Sequence, residues 1–375
     1  MISVGITGQS GFIGTHLYNT ISLYNEQYEL VPWEDTYFET ADKFKLFVKQ
    51  CDVIIHLAAV NRYADPQVIY DTNIKLVKQL IDALEATENK AHVIFASSTQ
   101  EERDNPYGRS KKEGRMLFAD WVERNGGRFT GMVIPNVFGP FGKPYYNSVI
   151  ATFCHQLTHD ETPKIDVDGK LKLIYVGELV QEIISIMENN NGEVKVNKLP
   201  VEHTSEKKVS ELLAMLNAFK SEYYEKGIFP DISDTFTRNL FNTFVCYIDH
   251  DEFFPFHLKL NTDDRGSFVE TVKLQSGGQV SFSTTKPGIT RGNHFHTRKA
   301  ERFAVIKGKA RIEFRLIGTD KVYTFDLDGA QPSFVDMPIW YTHNITNTGD
   351  DELYTIFWIN ELFNPDDPDT YYEEV

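Results

Sequence analysis

Ile2-Ser3-Val4-Gly5-Ile6-Thr7 is a short apolar run that meets three glycines at fixed spacing, Gly8, Gly11 and Gly14, and then a helical pattern. G-x-x-G-x-x-G between a strand and a helix leaves few folds open. The first glycine permits a tight turn, and the second lets a diphosphate approach the backbone. The third allows close packing of helix on strand, with the helix N-terminus facing the anion. The unit predicts a nucleotide-binding parallel sheet whose coenzyme contacts are Gly8, Ser10, Gly11, Phe12, Ile13 and Gly14.

The next segments repeat the strand–helix alternation. Tyr28–Trp33 reads as a strand ending at Glu34 and Asp35. An acid there accepts from a ribose 2′-hydroxyl and favours NADH, and no Arg stands beside it to receive a 2′-phosphate. The two acids read equally well as solvated turn residues. Asp52–Ala59 reads as a buried parallel strand running into Leu57, Ala58 and Ala59, where small side chains let a cofactor lie flat; His56 is expected to be a satisfied core histidine. Val93–Thr99 is a further strand ending in hydroxyls, at the carboxyl edge where ligands bind in doubly wound sheets. Strands alternating with helices imply right-handed crossovers and an α/β class.

Asp104-Asn105-Pro106-Tyr107-Gly108-Arg109-Ser110-Lys111 carries the chemistry. Tyr107 and Lys111 lie one turn apart on one helix face. An ammonium there can lower the phenol's pKa, so that Tyr107 exchanges a proton with a carbonyl or hydroxyl oxygen. Pro106 fits the first helical turn, where its missing N–H costs nothing.

With Thr7-Gly8-x-x-Gly11-x-x-Gly14, His56-Leu57-Ala58-Ala59, the Ser/Thr strand end, Tyr107-x-x-x-Lys111 and Pro135-Asn136-Val137-Phe138-Gly139-Pro140, the first 240 or so residues resemble extended short-chain dehydrogenases/reductases. The resemblance implies a Rossmann-type domain over 1–245 with a small substrate lobe, to which the amphipathic run 205–225 would belong. It implies Tyr107 as proton donor and Ser98 as the group polarising the carbonyl. Lys111 would hold the ribose and lower the Tyr107 pKa. Two departures stand out: the interval from Ser98 to Tyr107 is short, which makes Thr99 a substitute for Ser98, and Val133 occupies the place of a frequent Arg. Asn136 and Lys143 would touch a sugar nucleotide, and NADPH is the expected coenzyme, with NADH left open by Glu34 and Asp35.

Between about 240 and 258, around Phe253-Phe254-Pro255-Phe256, the hydrophobic period changes from 3.6 to 2. Gln279–Ser283, Arg302–Leu316, Val322–Leu327 and Glu352–Ile359 alternate like strands, so 255–375 reads as an all-β barrel or sandwich. His294 and His296, at i and i+2, point to one face of a strand; Glu301 and His343 come from later strands. Three imidazoles and a carboxylate suit one divalent metal, Zn²⁺, Fe²⁺, Mn²⁺ or Ni²⁺, with Zn²⁺ preferred.

Gly288-x5-His294-x-His296-x4-Glu301-x6-Gly308 and Pro338-x4-His343-x3-Asn347 are similar to the two motifs of the cupin superfamily, with Trp340 where the second motif usually has Gly. Asp264-Arg265-Gly266-Ser267-Phe268 and Lys286-Pro287-Gly288-Ile289-Thr290-Arg291-Gly292 resemble sugar-nucleotide 3,5-epimerases of the RmlC-like type. That resemblance implies Arg265 and Arg291 as substrate contacts and gives His294 the role of proton abstraction beside a ketone. A metal-bound imidazole nitrogen has no lone pair for that proton, so Tyr341, His296 if it is unbound, or Lys286 are the alternative bases.

The two halves in this order are similar to the CapF/WbjC type of bifunctional sugar-nucleotide enzyme. The resemblance implies a UDP-2-acetamido-2,6-dideoxy-4-hexulose substrate, C3 epimerisation in the cupin and C4 reduction in the first domain. The product would be a UDP-2-acetamido-2,6-dideoxy-L-talose on the route to UDP-N-acetyl-L-fucosamine for capsule or other surface polysaccharide, made by a homodimer. The alternative is a monofunctional reductase whose cupin is a zinc-stabilised dimerisation module. A net charge of −16 argues against nucleic-acid and anionic-lipid partners. No apolar run reaches the roughly 18 residues of a membrane span. Three widely spaced cysteines and the lack of a basic n-region and cleavage site point to reduced thiols and a cytoplasmic location.

Overall fold

The computed structural model describes residues 1–188, 195–264 and 266–375; Arg265 lies outside the described residues. In chain order the first part contains β1 (Ile2–Thr7), α1 (Phe12–Ser22), β2 (Tyr28–Val31), α2 (Ala41–Gln50), β3 (Val53–His56), α3 (Pro66–Thr87), β4 (His92–Ser98), α4 (Pro106–Asn125), β5 (Arg128–Ile134), β6 (Asn136–Phe138), α5 (Val149–Thr158), β7 (Lys170–Tyr175), α6 (Val176–Glu188), β8 (Val196–Pro200) and β9 (Ser205–Lys208). By packing, Met1–Val149 and Asp168–Val209 form one compact unit, and Ile150–Val167 and Ser210–Val375 form another. The change of period near 240–258 falls inside the second unit.

The first unit is built on a six-stranded sheet in the order β2-β1-β3-β4-β5-β8, with every pairing parallel. Side chains alternate across it, so consecutive residues enter different cores. Ile54, Val93 and Phe95 pack with Phe47, Val77, Leu80 and Phe118 on one face. Val53, Ile55 and Ile94 pack with Leu17, Ile21, Leu179 and Ile183 on the other. Both faces are therefore covered by helices, which is the doubly wound arrangement expected. The order reverses between β1 and β3, the switch point outside whose carboxyl ends doubly wound sheets bind their ligands. The second strand stops at Val31 because Pro32 has no N–H for the ladder. Helix α4 starts at Pro106, with Asn105 Oδ1 accepting from Gly108 N at 2.8 Å.

The run 205–225 differs from its expected single helix. Ser205–Lys208 alternates in exposure and pairs antiparallel with β7. Only then does α7 (Val209–Phe219) begin, followed by a π turn over Lys220–Tyr224.

The second unit continues with α8 (Thr235–Val245), α9 (His250–Phe253) and strands β10 (Phe256–His257), β11 (Asn261–Asp263), β12 (Gly266–Phe268), β13 (Gln279–Thr285), β14 (Thr290–Phe295), β15 (Glu301–Lys307), β16 (Lys309–Leu316), β17 (Val322–Asp328), β18 (Ser333–Met337), β19 (Tyr341–Asn347), β20 (Leu353–Ile359) and β21 (Tyr371–Tyr372). Two five-stranded antiparallel sheets, β10-β18-β15-β20-β13 and β17-β16-β19-β14-β21, face each other. The expected strand 302–316 is two strands in different sheets, parted at Gly308, whose φ of +91° suits glycine. Ala310, Ile312, Phe314, Phe325, Leu327, Ile345 and Trp358 are buried in this core.

Candidate active sites

The glycine loop is a cradle with no spare volume. A Cβ on Gly8, at φ +74°, would lie 2.7 Å from Ala58 N, and one on Gly14 would lie 2.2 Å from Gly8 O. Gly11 N–H closes the turn onto Gly8 O at 3.1 Å, and α1 opens directly after it. Such close backbone approach at a helix N-terminus fits the diphosphate of a dinucleotide. Leu57 N–H donates to Thr7 O at 3.1 Å, which sets Leu57, Ala58 and Ala59 beside the cradle, each half-buried. His56 is a core residue, bonded through Nδ1 to Thr7 Oγ1 at 2.7 Å and stacked on Phe95. Burial pushes its pKa down to about 3, so it is neutral. At the end of β2, Asp35 accepts from Ser10 Oγ at 2.9 Å and from Trp33 Nε1 at 3.0 Å.

Helix α4 places Tyr107 and Lys111 on one face, with the Lys111 ammonium 5.7 Å from the Tyr107 ring centre. That ammonium donates to Ala96 O at 2.8 Å, and burial lowers it to about 8. Tyr107 does not show the expected lowering. Burial, reinforced by Tyr146, pushes its phenol up to about 12. Lys111 is spent on a carbonyl and is itself desolvated, so the phenol stays firmly protonated.

The short interval between Ser98 and Tyr107 is closed by one 3₁₀ turn, Thr99–Glu102. It packs so tightly on α4 that a Cβ on Gly108 would meet Gln100 O at 2.0 Å. Ser98 Oγ accepts from Gln100 N at 3.2 Å and is half-buried, whereas Thr99 is exposed. One residue of this turn was hidden in the charged run 101–104. Glu101 is buried and takes Ser97 Oγ (2.9 Å), Arg115 Nε (3.0 Å) and Lys198 Nζ (2.9 Å). Burial opposes its charge, but Arg115, Lys198 and Ser97 outweigh burial and lower its pKa. Arg115 lies on α4, so this cluster ties the hydroxyl-bearing strand end to the Tyr–Lys helix.

Asn136 and Lys143 are both exposed; Asn136 Nδ2 donates to Lys172 O at 3.1 Å, and Lys143 lies over the Tyr146 ring at 5.6 Å. Arg62, not anticipated from sequence, donates to the carbonyls of Tyr145 (2.6 Å) and Tyr146 (3.0 Å) and anchors that loop.

The second unit gathers His294, His296, Glu301 and His343, with ligand atoms all within 4.8 Å of one another. A bulge at Asn293 (φ +60°) re-aims the strand so that His294 pairs directly opposite His343. The three Nε2 atoms converge on Glu301 Oε2, at 3.1 Å from His343, 3.3 Å from His296 and 3.9 Å from His294. His343 Nδ1 bonds Tyr341 O at 3.1 Å and His296 Nδ1 bonds Asp369 O at 2.5 Å, which leaves the Nε2 atoms for the cluster. His296 Nε2 is buried without a well-directed hydrogen bond. Burial opposes ionisation of Glu301, but His296 and His343 outweigh it and hold its carboxyl well below the usual range. Three nitrogens, of which the buried His296 Nε2 is orphaned, and one carboxylate fit a divalent cation.

Trp340 takes the left-handed conformation (φ +64°) natural to the expected glycine, donates its N–H to His296 O at 2.7 Å and stacks on Phe295. Of the alternative bases, Tyr341 is buried with its phenol pushed far up by burial, and Lys286 is exposed. Arg291 is exposed and donates to Thr284 O at 3.4 Å.

The NAD dependent epimerase/dehydratase family profile matches residues 4–198, and the polysaccharide biosynthesis C-terminal domain profile matches 261–371. The chain is 32% identical over 372 residues to a UDP-2-acetamido-2,6-beta-L-arabino-hexul-4-ose reductase of Pseudomonas aeruginosa, covering 99% of this chain and 98% of the reductase. The crystal structure of the capsular polysaccharide assembling protein CapF from Staphylococcus aureus superimposes with a TM-score of 0.63 at 33% identity over 100% of both chains. RMD from Pseudomonas aeruginosa, solved with NADPH, shares the fold at a TM-score of 0.53 and 20% identity over 59% of this chain and 83% of RMD.

Proposed function

Because the chain belongs to the NAD dependent epimerase/dehydratase family, in the two-domain form shared with the Pseudomonas reductase and CapF, we propose that it converts a UDP-2-acetamido-2,6-dideoxy-4-hexulose in two steps. The second unit inverts C3 and the first unit reduces the C4 ketone, giving a UDP-2-acetamido-2,6-dideoxy-L-talose. The observation that carries the reduction is the helix face bearing Tyr107 and Lys111, whose ammonium meets Ala96 O two residues short of Ser98 at the end of β4, in a sheet whose glycine cradle fits a dinucleotide.

The order follows from the chemistry. A C4 ketone acidifies the C3 proton, so inversion precedes reduction, which removes the activating carbonyl. In the second unit His294, His296, Glu301 and His343 would hold one divalent ion, preferentially Zn²⁺, which supplies Lewis-acid polarisation of the ketone. His294, as a ligand, has no lone pair for the C3 proton, so a separate base takes it. In the first unit the Gly8–Gly14 cradle and Leu57–Ala59 would hold the coenzyme, which would supply hydride for the C4 carbon. Tyr107, protonated across neutral pH, gives its proton to the C4 oxygen, and the Ser98 hydroxyl orients that oxygen. Incubation with the 4-keto UDP-sugar and reduced coenzyme tests the reading; a coenzyme left unoxidised contradicts it.

The coenzyme is NAD(P)H, and the end of β2 favours NADH over the NADPH expected from the resemblance. Ser10 and Trp33 fix the Asp35 carboxylate where a 2′-phosphate would need a cation. A phosphate beside a carboxylate is disfavoured by roughly 1–2 kcal/mol, about tenfold or more in Kd. Fluorescence titration should therefore give the lower Kd for NADH, with Asp35→Ser narrowing the gap; a tighter NADPH complex in the unaltered protein contradicts this assignment.

The pH profile has a direction. Lys111, lowered to about 8, is charged below that pH and neutral above it. Its charged hold on the coenzyme ribose is lost as pH rises, so kcat/KM for reduction should fall through about pH 8. A profile flat to pH 9.5 would separate Lys111 from the reaction.

A further inference from the structure

Tyr371–Glu373 run back along the strand that bears His294. Tyr371 and Tyr372 of β21 pair with Phe295 and His294, Glu373 N–H donates to Asn293 O at 3.1 Å, and Tyr371 stacks on Phe295. Just before them sits Asp369, only 2% exposed and in the left-handed region at φ +41°. Non-glycine residues adopt that conformation at a cost, Asp and Asn most readily.

Asp369 does two separate things. Its carboxylate fills a nest of three successive backbone N–H groups: Oδ1 takes Thr297 N at 3.1 Å and Thr297 Oγ1 at 2.6 Å, while Oδ2 takes Arg298 N at 3.1 Å and Lys299 N at 3.2 Å. Its main-chain oxygen meets His296 Nδ1 at 2.5 Å. The flanking residues fasten the same loop: the buried Lys299 gives Nζ to Pro368 O at 2.8 Å, and Arg298 reaches the Asp367 carboxylate at 2.8 Å. The loop held this way, 297–300, joins His296 to Glu301.

We propose that the C-terminal strap, through Asp369, is the outer shell of the metal centre, with Asp369 as a positioning residue. The inference rests on the reading of the four residues as a divalent-metal site. The nest sets the Asp369 backbone, and the Asp369 carbonyl fixes His296 as the Nδ1–H tautomer, so Nε2 faces Glu301. The same loop fixes how far Glu301 stands from His296. Outer partners of metal-bound imidazoles typically control affinity by about 10–100-fold. The tail is a part of the site that no local spacing in the sequence announces.

The test measures Zn²⁺ affinity by chelator competition on the full-length protein, together with the shift in Tm that Zn²⁺ produces. Asp369→Asn keeps the shape and the left-handed preference but turns an amide NH₂ toward backbone N–H groups. It should weaken Zn²⁺ about tenfold or more and shrink the Zn²⁺-induced Tm shift. Thr297→Val, which removes one donor to the carboxylate, should act the same way more weakly, and Thr297→Ser should restore wild-type affinity. NADH affinity in the first unit should not move in any of them. Variants that lower the metal-free Tm while Zn²⁺ affinity stays within about twofold would make Asp369 a stabilising contact only and overturn the proposal. A wild-type protein that binds no divalent metal overturns this proposal and the metal reading together.

Discussion

Tyr107→Phe should abolish measurable C4 reduction, a fall in kcat on the order of 10²–10⁴ or more, the scale of a lost general acid. The change is gentle elsewhere. Among the described residues the phenol makes no hydrogen bond within the chain, and a Phe ring keeps the packing beside Lys111. The Asn105 cap and Pro106 start of α4 are untouched. Coenzyme Kd should stay within about twofold, and the unfolding midpoint should hardly shift. Proton transfer at C3 needs nothing from Tyr107 and should survive. Reduction at near wild-type rates would remove Tyr107 from the mechanism and transfer the proton-donor role to another group at the strand end.

Arg302→Ala should destabilise the second unit by about 3–5 kcal/mol, the range for breaking a buried ion pair from one side. The side chain is fully buried. It grips Asp336 through two hydrogen bonds of 2.7 and 2.8 Å, donates to Gly227 O at 2.7 Å and lies 3.5 Å over the Phe334 ring. Tyr223 shares the same carboxylate at 2.7 Å. Truncating Arg302 leaves the Asp336 side chain in an apolar core with, among the described residues, the Tyr223 hydroxyl as its one side-chain partner, plus a cavity where the guanidinium stood. A chain of two units does not unfold in one step, so the readout is the transition of the second unit followed by a probe within it. The double change Arg302→Met with Asp336→Leu removes both charges and should recover most of the loss. A single-variant loss under about 1 kcal/mol would mean that water reaches Asp336.

These two residues differ in how plainly the sequence announced them. Tyr107 was legible because its chemistry is local: a Tyr and a Lys one helical turn apart, capped by Asn105 and Pro106. The sheet was legible for the same reason, since buried strands such as Val53–His56 and glycine turns are written in a few consecutive residues. Strand–helix alternation announced a parallel sheet with right-handed crossovers, but the order β2-β1-β3-β4-β5-β8 came only with the structure. The clustering of His294, His296, Glu301 and His343 was legible as well, because the two imidazoles at i and i+2 fall on β14 and just past its end, and Glu301 and His343 stand on later antiparallel strands.

What stayed hidden depends on contacts between distant segments. Arg302 and Asp336 meet only because β15 pairs with β18. Asp369 reaches His296 across 73 positions. Glu101 stands in a charged run, 101–104, and only the 3₁₀ turn folds it inward against Arg115. The Tyr107 pKa was misjudged because burial is a property of the fold. A Tyr–Lys spacing gives a distance along a helix, not the carbonyl of Ala96 that takes the ammonium.

On the proposed mechanism, proton movement at C3 and hydride delivery at C4 are separate acts of separate groups. Tyr107→Phe isolates the first. The measurement is the deuterium content at C3 of the 4-keto UDP-sugar, read by NMR after incubation with this variant and Zn²⁺ in D₂O without coenzyme. Exchange at the wild-type rate, lost again in a His343→Ala variant, is the predicted result. A C3 proton that stays in place with the wild-type protein and with Tyr107→Phe alike would contradict the claim and leave a plain reductase.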